Sequence, residues 1–563
     1  MRMRRGRTIT TTAGLVSVGL VVAACGPIED EDPDGTAVGE AGTGEESQVN
    51  EPSGDPTPGG TLLVGIEAES PGWAPWNDNF APANLAVARA FYDSLLERDD
   101  DGVPQPNLAE EVEPSDDFTS FVLTLREGVT FHDGDAFDAD AVVTNLDRHR
   151  EEGSVTASYL NSIETVEAED DRTVRIDLDQ PNVAFLDALA TQAGFMVSPT
   201  AIEGDEVSSQ PVGTGPFVVD RWQRDQAIEL SRFDDYWRED LPYLDAITIR
   251  PIPDEDARLQ SLLSGDLDVM SSLRQSTIAR ARDADGLNLY EHVANNAGAT
   301  ILNTAVPPFD DPRVREAWAY AIDAEDLIAV LGGTGISPVA NGLFNPESFW
   351  FDDQVEDVWP SEDLDRAQAA IDSYVEDPDR SDGEEPGTPV SFEFGTQPDP
   401  SLLETSSVYQ AQVARIGMEM EIETVEQAVH VAEAVGEAPD FIGDYEAKIF
   451  RLGEETDPDW MVTYFAPGSP QNFTNIESEA LMDTLLEARR TPDLDERREL
   501  YTSAMEIFAE ELPFTLTGHT ASVVATQDQV FGFDDWTLPD GTPGVGHPES
   551  VTRWAEVWID EEA

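Results

Sequence analysis

Several short stretches of the chain alternate apolar and polar residues with a period of two, which is the pattern of a half-buried β-strand. These stretches lie at 121–125, 174–178, 247–249 and 418–422. A continuous apolar run at 61–66 is typical of a strand buried on both faces. The pattern therefore predicts strands from the beginning of the chain to its last third.

Between these strands, apolar residues recur at the spacing of one helical face. A helix is predicted to follow Asp311, a good N-cap residue, with Pro312 in its first turn. Another is predicted to start near Asp138, and a late one carries an apolar face at 500–508 and ends before Pro513. Helices interspersed with strands predict α/β lobes rather than an all-α or all-β protein.

The length of the chain argues for more than one lobe. Single hydrophobic cores stop growing near roughly 250–300 residues, and this chain has 563 residues, of which 40% are apolar. Two or three lobes are therefore expected. The acidic stretch at 377–389, which contains Pro and Gly, is predicted to be a surface loop.

The N-terminus combines a basic start with a short apolar run. Four arginines within the first seven residues precede an apolar segment from 13 to 22, which is shorter than the roughly 20 residues that a spanning helix needs. It ends in Val-Ala-Ala-Cys-Gly at 22–26, which resembles a bacterial lipobox, and Cys25 is the sole cysteine. The sequence predicts a lipoprotein signal peptide at 1–24 and acyl chains on Cys25. The alternative is an ordinary cleaved signal with an incidental cysteine.

Residues 25–58 are dominated by Asp, Glu, Gly, Pro, Ser and Thr and contain no basic residue. Such a segment buries too little apolar surface to offset its ordering entropy, so it is predicted to be a disordered acidic tether. Folded structure is expected from Gly59.

The composition is strongly acidic. Lys and Arg number 32 against 115 Asp and Glu, for a formal net charge of −83, and Lys448 is the sole lysine. This charge repels phosphate backbones, so no nucleic-acid partner is expected. The distance over which charges repel each other in solution falls to about 3 Å at 1 M salt. Because high salt would relieve the repulsion among so many acidic side chains, we interpret the composition as salt-adapted. The alternative is a generally acidic secreted protein.

Motifs for catalysis or metal binding do not stand out. Phe-His-Asp-Gly at 131–134 has no second histidine at metal-ligand spacing and is interpreted as a turn. Gly-Gly-Thr-Gly at 332–335 lacks the residues of a phosphate-binding loop and is interpreted as a loop. The sequence therefore predicts no enzyme, no catalytic residue, no metal site and no cofactor. A lipid-anchored extracellular hydrolase stays open as an alternative, because a carboxylate pair hydrolyses glycosides without a motif.

A series of short strings runs in order from about residue 59 to 520. They are Gly-Gly-Thr-Leu (59–62), Tyr-Asp-Ser-Leu-Leu (92–96), Pro-Asn-Leu-Ala-Glu (106–110), Leu-Arg-Glu-Gly-Val-Thr-Phe-His-Asp-Gly (125–134), Val-Gly-Thr-Gly-Pro-Phe (212–217), Leu-Leu-Ser-Gly-Asp-Leu-Asp (262–268), Asn-Thr (303–304), Pro-Phe-Asp-Asp-Pro-Arg-Val-Arg-Glu-Ala (308–317), Asp-Pro-Asp (457–459) and Glu-Leu-Pro-Phe (511–514). Together they resemble the family 5 extracellular solute-binding proteins, the peptide- and nickel-type receptors of ABC importers.

The resemblance implies an α/β, two-lobed periplasmic-binding-protein-like clamp of type II, similar to cluster C, with an additional smaller α/β domain. The implied boundaries are 59–97, 212–302 and 520–563 for lobe I, 98–211 for the additional domain and 303–519 for lobe II. Ligand is expected between the lobes, which close on it.

The resemblance also suggests charged ligand contacts. In peptide-binding relatives a carboxylate shortly before a segment like 457–459 receives the ligand ammonium group, and that position is Glu454 here. A charge-assisted hydrogen bond would select cationic ligand ends, although Glu replaces the Asp of those relatives, and an exposed solubilising role is the alternative. Nearby Arg451 would meet a ligand carboxylate or pair with a neighbouring acid.

Further candidates are aromatic or lie at the lobe crossovers. Trp73, Trp76 and Phe80 follow the first strand on a connection that relatives bring to the cleft, with packing between lobes as the alternative. Trp460 and Tyr464 are candidates for the opposite wall, with ordinary core packing as the alternative. Thr214 and Asn303 lie at the implied crossovers, where a hinge role competes with turn formation.

The resulting hypothesis is a monomeric protein on the outer face of the cytoplasmic membrane or in the periplasm, held by its lipid anchor. It would capture a small solute, in first place a peptide, for an ABC permease in the membrane. An oligosaccharide, a nickel chelate or an opine is the alternative ligand, and a clamp-fold sensory receptor is the alternative function.

Overall fold

The computed structural model describes most of the chain after its N-terminal region. The described residues are 48–78, 80–100, 102–204, 206–436, 441–453, 457–534, 536–544 and 552–560. The signal peptide, Cys25 and Glu454 lie outside these residues, so their assigned roles stay predictions. Among the described helices, none is both long enough and apolar enough to span a bilayer.

A ten-stranded mixed sheet forms the frame of the described chain. In spatial order its strands are β14 (Glu419–Thr424), β13 (Ser391–Thr396), β15 (Ala447–Leu452), β12 (Leu287–Leu302), β16 (Phe514–Gln527), β11 (Val269–Ser272), β1 (Thr61–Ile66), β10 (Ala246–Pro251), β9 (Ala227–Arg232) and β8 (Phe217–Gln223). Strand β1 runs parallel to β10 and β11, and β13 runs parallel to β14 and β15.

Helices occur between the strands throughout the described chain. They are α1 (Pro82–Ala88), α2 (Ala139–His149), α3 (Phe185–Ala188), α4 (Pro199–Gly204), α5 (Glu255–Leu263), α6 (Gln275–Arg282), α7 (Pro312–Ala321), α8 (Ala324–Val330), α9 (Leu364–Val375), α10 (Pro400–Ala414), α11 (Gln427–Val435), α12 (Trp460–Tyr464), α13 (Glu479–Ala488) and α14 (Leu494–Glu511). The predicted N-cap Asp311 is confirmed, because it accepts the Arg313 N–H. The helix expected to start near Asp138 begins there, and Asp138 caps it by accepting the Ala141 N–H.

Two long strands, β12 and β16, lie next to each other in the middle of the sheet and extend into both of its halves. Strands β12 and β16 pair as far as Ile301 opposite Phe514, with β11 on β16 at one end and β15 on β12 at the other. Their register shifts between Val293 and Ala299, and such bulges bend and twist a strand pair. We call the part around β13–β15 the second lobe and the part around β1 and β8–β11 the first lobe. One bulged ribbon therefore joins the two lobes.

A separate antiparallel sheet has its own core. It contains β4 (Ala109–Pro114), β5 (Ser120–Leu125), β7 (Thr173–Leu178) and β6 (Ile163–Asp170), and a short hairpin of β2 (Leu96–Arg98) and β3 (Pro104–Pro106) precedes it. Phe121 and Ile176 from the strands pack with Val142 and Leu146 from α2. We call residues 95–196, which share this core, the four-stranded unit.

The C-terminal residues 552–560 pack on the first lobe, where β18 (Trp558–Ile559) pairs with β17 (Val530–Phe531). The Trp554 indole N–H donates to the Ala86 carbonyl at 2.7 Å. Buried Arg553 lies 2.9 Å from a carboxylate oxygen of Glu97. Apolar packing and a buried ion pair thus hold this end of the chain.

The first described residues differ from the expectation of a free tether. The Leu289 N–H donates to the Gln48 carbonyl, and the Asn50 amide nitrogen donates to the Asn288 side-chain oxygen, both at 2.9 Å. Ser53 donates its hydroxyl to Asp560. The prediction of disorder rested on the shortage of apolar surface in this segment. Amino-acid composition does not reveal which polar groups will form specific hydrogen bonds, and such bonds hold residues 48–53 here.

The two short motifs without chemistry form a turn and a loop, as predicted. His132 lies half-buried in the turn at 131–134, and desolvation of its ring lowers its pKa to about 4. Its Nε2 lies 2.9 Å from the Gly215 carbonyl, and its Nδ1 accepts the Gly213 N–H. This neutral histidine therefore holds two backbone segments together, and no group of metal-ligating side chains occurs among the described residues.

Candidate functional site

A cavity of about 380 Å³ lies between the four-stranded unit and the second lobe. It is lined from one side by segments 155–162 and 182–188 and from the other by 457–464, Gln471 and Arg489. Polar and aromatic side chains prevail on both walls. They include Tyr159, Asn161 and Ser162 on one wall and Trp460, Thr463 and Gln471 on the other.

Two other cavities are larger but are lined by one lobe. They measure about 510 and 590 Å³, and their lining residues fall within 326–415 and 304–511 of the second lobe. A solute that closes a clamp must touch two parts that move relative to each other. Unlike those two cavities, the cavity between the four-stranded unit and the second lobe is lined by two separate parts of the chain.

The two walls of this cavity are joined by direct hydrogen bonds. The Asp457 backbone N–H donates to a carboxylate oxygen of Asp187 at 3.1 Å. The Val183 N–H donates to the Arg489 carbonyl at 3.0 Å. The four-stranded unit and the second lobe are therefore in contact beside the cavity.

Each of the three described carboxylates at the cavity is bound by an arginine through two nitrogens. The pairs are Arg98 with Asp187, Arg489 with Asp459 and Arg497 with Asp457, at 2.6–2.9 Å. Burial raises the pKa of Asp459, while the hydrogen bond from Arg489 opposes that rise. These bidentate pairs are geometrically specific, and they neutralise the acidic lining that the described residues provide.

Trp460 and Tyr464 line one wall of this cavity, and their contact with a ligand stays a prediction. Their rings meet edge to face, with centroids 5.0 Å apart, and both side chains are half-buried. Tyr159 lies on the opposite wall and is 38% exposed. Aromatic faces beside amides and hydroxyls suit a polar solute with apolar parts.

Trp73, Trp76 and Phe80 are placed away from this cavity, in the core of the first lobe. Trp73 is 1% exposed and packs against Phe80, with ring centroids 5.6 Å apart, and against Phe91 and Trp222. Trp76 and Phe80 are also buried. The described structure gives these aromatics packing contacts, and their contact with a ligand stays a prediction.

Thr214 and Asn303 are both fully buried. Thr214 stands between two glycines, and a Cβ on Gly213 would lie 2.0 Å from the Phe91 carbonyl oxygen, so the backbones approach closely there. The Asn303 amide donates to the Gly443 and Tyr445 carbonyls. Both residues thus lie where backbone segments meet.

Arg451 is exposed near the end of β15, and it does not line the described cavity. The structure also places Asp187, Gln471 and Arg489 at the cavity, which the sequence did not single out. The hydrogen bond between the two walls joins Asp187 and Asp457, which are 270 residues apart in the sequence. Residue spacing carries no signal for such a contact.

Comparison with known proteins agrees with this architecture. Residues 103–473 match the family model described as bacterial extracellular solute-binding proteins, family 5 Middle. The glutathione-binding protein GsiB of Salmonella paratyphi A is 31% identical over 470 residues, which are 81% of this chain and 88% of that protein.

Solved structures share the fold. The periplasmic binding protein DppA of Helicobacter pylori, in complex with the peptide STSA, has a TM-score of 0.73 and 24% identity, covering 90% of this chain and 99% of the other. The binding protein AgaA of A. tumefaciens R10, in complex with agropinic acid, also has a TM-score of 0.73, at 25% identity and with the same coverage.

Two α/β lobes joined by a strand ribbon, with a polar cavity between the second lobe and the four-stranded unit, are the architecture of a solute-binding clamp. The chain belongs to the bacterial extracellular solute-binding proteins of family 5. The resemblance deduced from the sequence and the predicted fold class are both confirmed.

Proposed function

We propose that this protein captures a short peptide or a closely related solute and delivers it to an ABC permease. The cavity between the four-stranded unit and the second lobe carries the proposal, because it combines aromatic faces, amides and hydroxyls on two walls. GsiB is named for glutathione and the H. pylori structure holds a peptide, which supports a peptide-like solute.

Binding would be coupled to closure. A solute stabilises the closed form by touching both walls, and it touches both walls only when they are together. The bulged ribbon of β12 and β16 is the hinge in this proposal, since its register shifts between the lobes. The permease would recognise the closed form, so the proposal requires no catalytic residue, metal or cofactor in this chain.

The Trp460→Ala substitution is expected to weaken solute binding by about ten- to hundredfold, because burying an aromatic side chain contributes roughly 1.5–3 kcal/mol. Isothermal titration calorimetry in 1 M salt with glutathione and a panel of di- to tetrapeptides measures the affinity. X-ray scattering of the same samples measures closure as a smaller radius of gyration.

Trp222→Ala is the matched control, since Trp222 is also half-buried but does not line the cavity. It is expected to leave the affinity within about twofold of the wild type, as additivity holds for distant sites. The proposal is wrong if no peptide in the panel binds, or if saturating ligand leaves the scattering unchanged.

A lipid anchor at Cys25 is the second part of the proposal. Acyl chains contribute about 0.8 kcal/mol per buried methylene, and two or more chains hold a protein firmly at a membrane. The Cys25→Ala substitution is expected to move the protein from the membrane fraction to the soluble fraction of its host and to abolish incorporation of labelled palmitate. Retention of the variant in the membrane fraction would contradict the anchor.

A further inference from the structure

Arg489 has one nitrogen that none of the described residues uses as a hydrogen-bond donor. It follows α13 and lines the cavity, and its side chain is 12% exposed. Its Nε and Nη2 donate to the two carboxylate oxygens of Asp459 at 2.7 and 2.8 Å. A guanidinium carries five N–H donors in one plane. Nη1 therefore retains its donors, without a hydrogen-bond partner among the described residues.

The carboxylates of the described lining are already bound. Both oxygens of Asp187, Asp457 and Asp459 accept hydrogen bonds from arginines. An ammonium group that entered beside them would compete with guanidinium groups that are held bidentately. Within the described lining, the group left for a solute is the donor Nη1 of Arg489. An oxygen acceptor on the solute matches this donor better than an ammonium group does.

The position of Arg489 is fixed before any solute arrives. Asp459 binds one edge of the guanidinium, and the Arg489 carbonyl accepts the Val183 N–H from the opposite wall. A donor held in this way loses little conformational entropy when it binds an acceptor. The net charge of −83 repels an anionic solute at long range, so recognition of one requires such a local donor.

We propose that Arg489 recognises a carboxylate on the bound solute through Nη1, and that Asp459 is the positioning residue that orients the guanidinium. This inference deepens the proposed function and rests on it. Among peptide-like solutes it selects those with a free carboxyl end over those in which that end is blocked.

The test compares tri-alanine and Ser-Thr-Ser-Ala, each as free acid and as C-terminal amide, by calorimetry in 1 M salt. The wild type is expected to bind each acid about ten- to hundredfold more tightly than its amide, the range for a hydrogen bond to a charged group. The double variant Arg489→Gln, Asp459→Asn leaves no buried carboxylate unpaired at this point, so it tests recognition apart from folding. It is expected to lose the acid preference, so that each acid and its amide bind with affinities within about twofold of each other.

Arg490→Gln is the matched control, because Arg490 is the next residue, is exposed and does not line the cavity. It is expected to keep the wild-type ratio of acid to amide affinity. The single variant Asp459→Asn keeps the Arg489 guanidinium but removes the carboxylate that holds it in place. It is therefore expected to reduce the ratio of acid to amide affinity only in part.

The outcomes separate this inference from the proposed function. An unchanged acid preference in the double variant, or equal affinities of acid and amide in the wild type, overturns the role of Arg489 while peptide capture stands. If the wild type binds none of these peptides and none of the wider panel, peptide capture itself fails, and this inference fails with it.

Discussion

The Arg497→Met substitution is expected to lower the free energy of unfolding of the second lobe by about 3–5 kcal/mol, the cost of removing one partner from a buried ion pair. The Arg497 side chain is 3% exposed and donates to both oxygens of Asp457, and its Nε donates to the Ala488 carbonyl. The guanidinium also lies over the ring of Trp350. Methionine fills similar volume but leaves the Asp457 carboxylate almost buried and unpaired.

Denaturant unfolding in 1 M salt, followed by tryptophan fluorescence, measures this loss. The double variant Arg497→Met, Asp457→Asn is expected to recover most of it, because no charge is then left unpaired. Arg498→Ala on the same helix is the control. Its exposed guanidinium lies 3.5 Å from Asp495, and such surface pairs contribute about 0–1 kcal/mol. A loss below about 1 kcal/mol in the single variant would contradict the expectation.

The same substitution links stability to the cavity. The Asp457 side chain is held by Arg497, while its backbone N–H donates to Asp187 across the cavity. Losing the side-chain anchor is therefore expected to loosen the wall contact as well. Hydrogen exchange of the Asp457 amide reports this directly, and it would be faster in the variant than in the wild type.

Local features of the fold follow closely from the sequence. The apolar run at 61–66 is strand β1, and the alternation at 121–125 and 174–178 forms the middle of the four-stranded sheet. Asp311 caps its helix as predicted, and a helix starts at Asp138, close to where it was expected. In each case the signal lies within a few residues, because periodicity and capping depend on neighbours in the chain.

Long-range features did not follow from residue spacing. Strand β12 extends over 16 residues and crosses between the lobes, yet its centre contains His292, Asn295 and Asn296, which break the apolar pattern. The bulge near Val293 belongs to the pairing with β16, and pairing is a property of two distant segments. The location of the bulge between the lobes therefore required the structure.

The candidate site divides in the same way. The sequence offered Trp460 and Tyr464 as candidates beside the recognised segment 457–459, whereas it gave no indication of the wall with Asp187. Residue type was also ambiguous for the aromatics, because Trp73 and Trp460 are equally suited to a core and to a cleft. Packing decides between them, and it places Trp73 in the core of the first lobe.

Acidic side chains lie along the β14 edge of the large sheet. Strand β14 is an edge strand, and Glu419, Glu421 and Glu423 are exposed on one of its faces. Glu421 lies directly opposite Glu393 of β13. Burial raises the pKa of nearby Glu446, and the charge of Glu393 contributes to that rise. Like charges on an edge oppose aggregation, but directly opposite each other they destabilise the sheet.

Stability is therefore expected to depend strongly on salt. Two unit charges 4 Å apart in water interact by about 1 kcal/mol, and screening shortens from about 30 Å at 0.01 M to about 3 Å at 1 M. With 115 acidic residues against 32 basic ones, many such repulsions add. The free energy of unfolding is expected to rise by several kcal/mol between these concentrations, and equal stability in dilute and molar salt would refute salt adaptation.

A pair of variants assigns part of this dependence to the sheet edge. Glu421→Gln removes the charge opposite Glu393, whereas Glu419→Gln removes an equally exposed charge opposite Ser391. At 0.01 M salt, Glu421→Gln is expected to stabilise the protein by about 0.5–1 kcal/mol more than Glu419→Gln does. At 1 M salt the two are expected to agree, because the repulsion is then screened. A difference that persists at 1 M would mean that packing or propensity, rather than charge, separates the two positions.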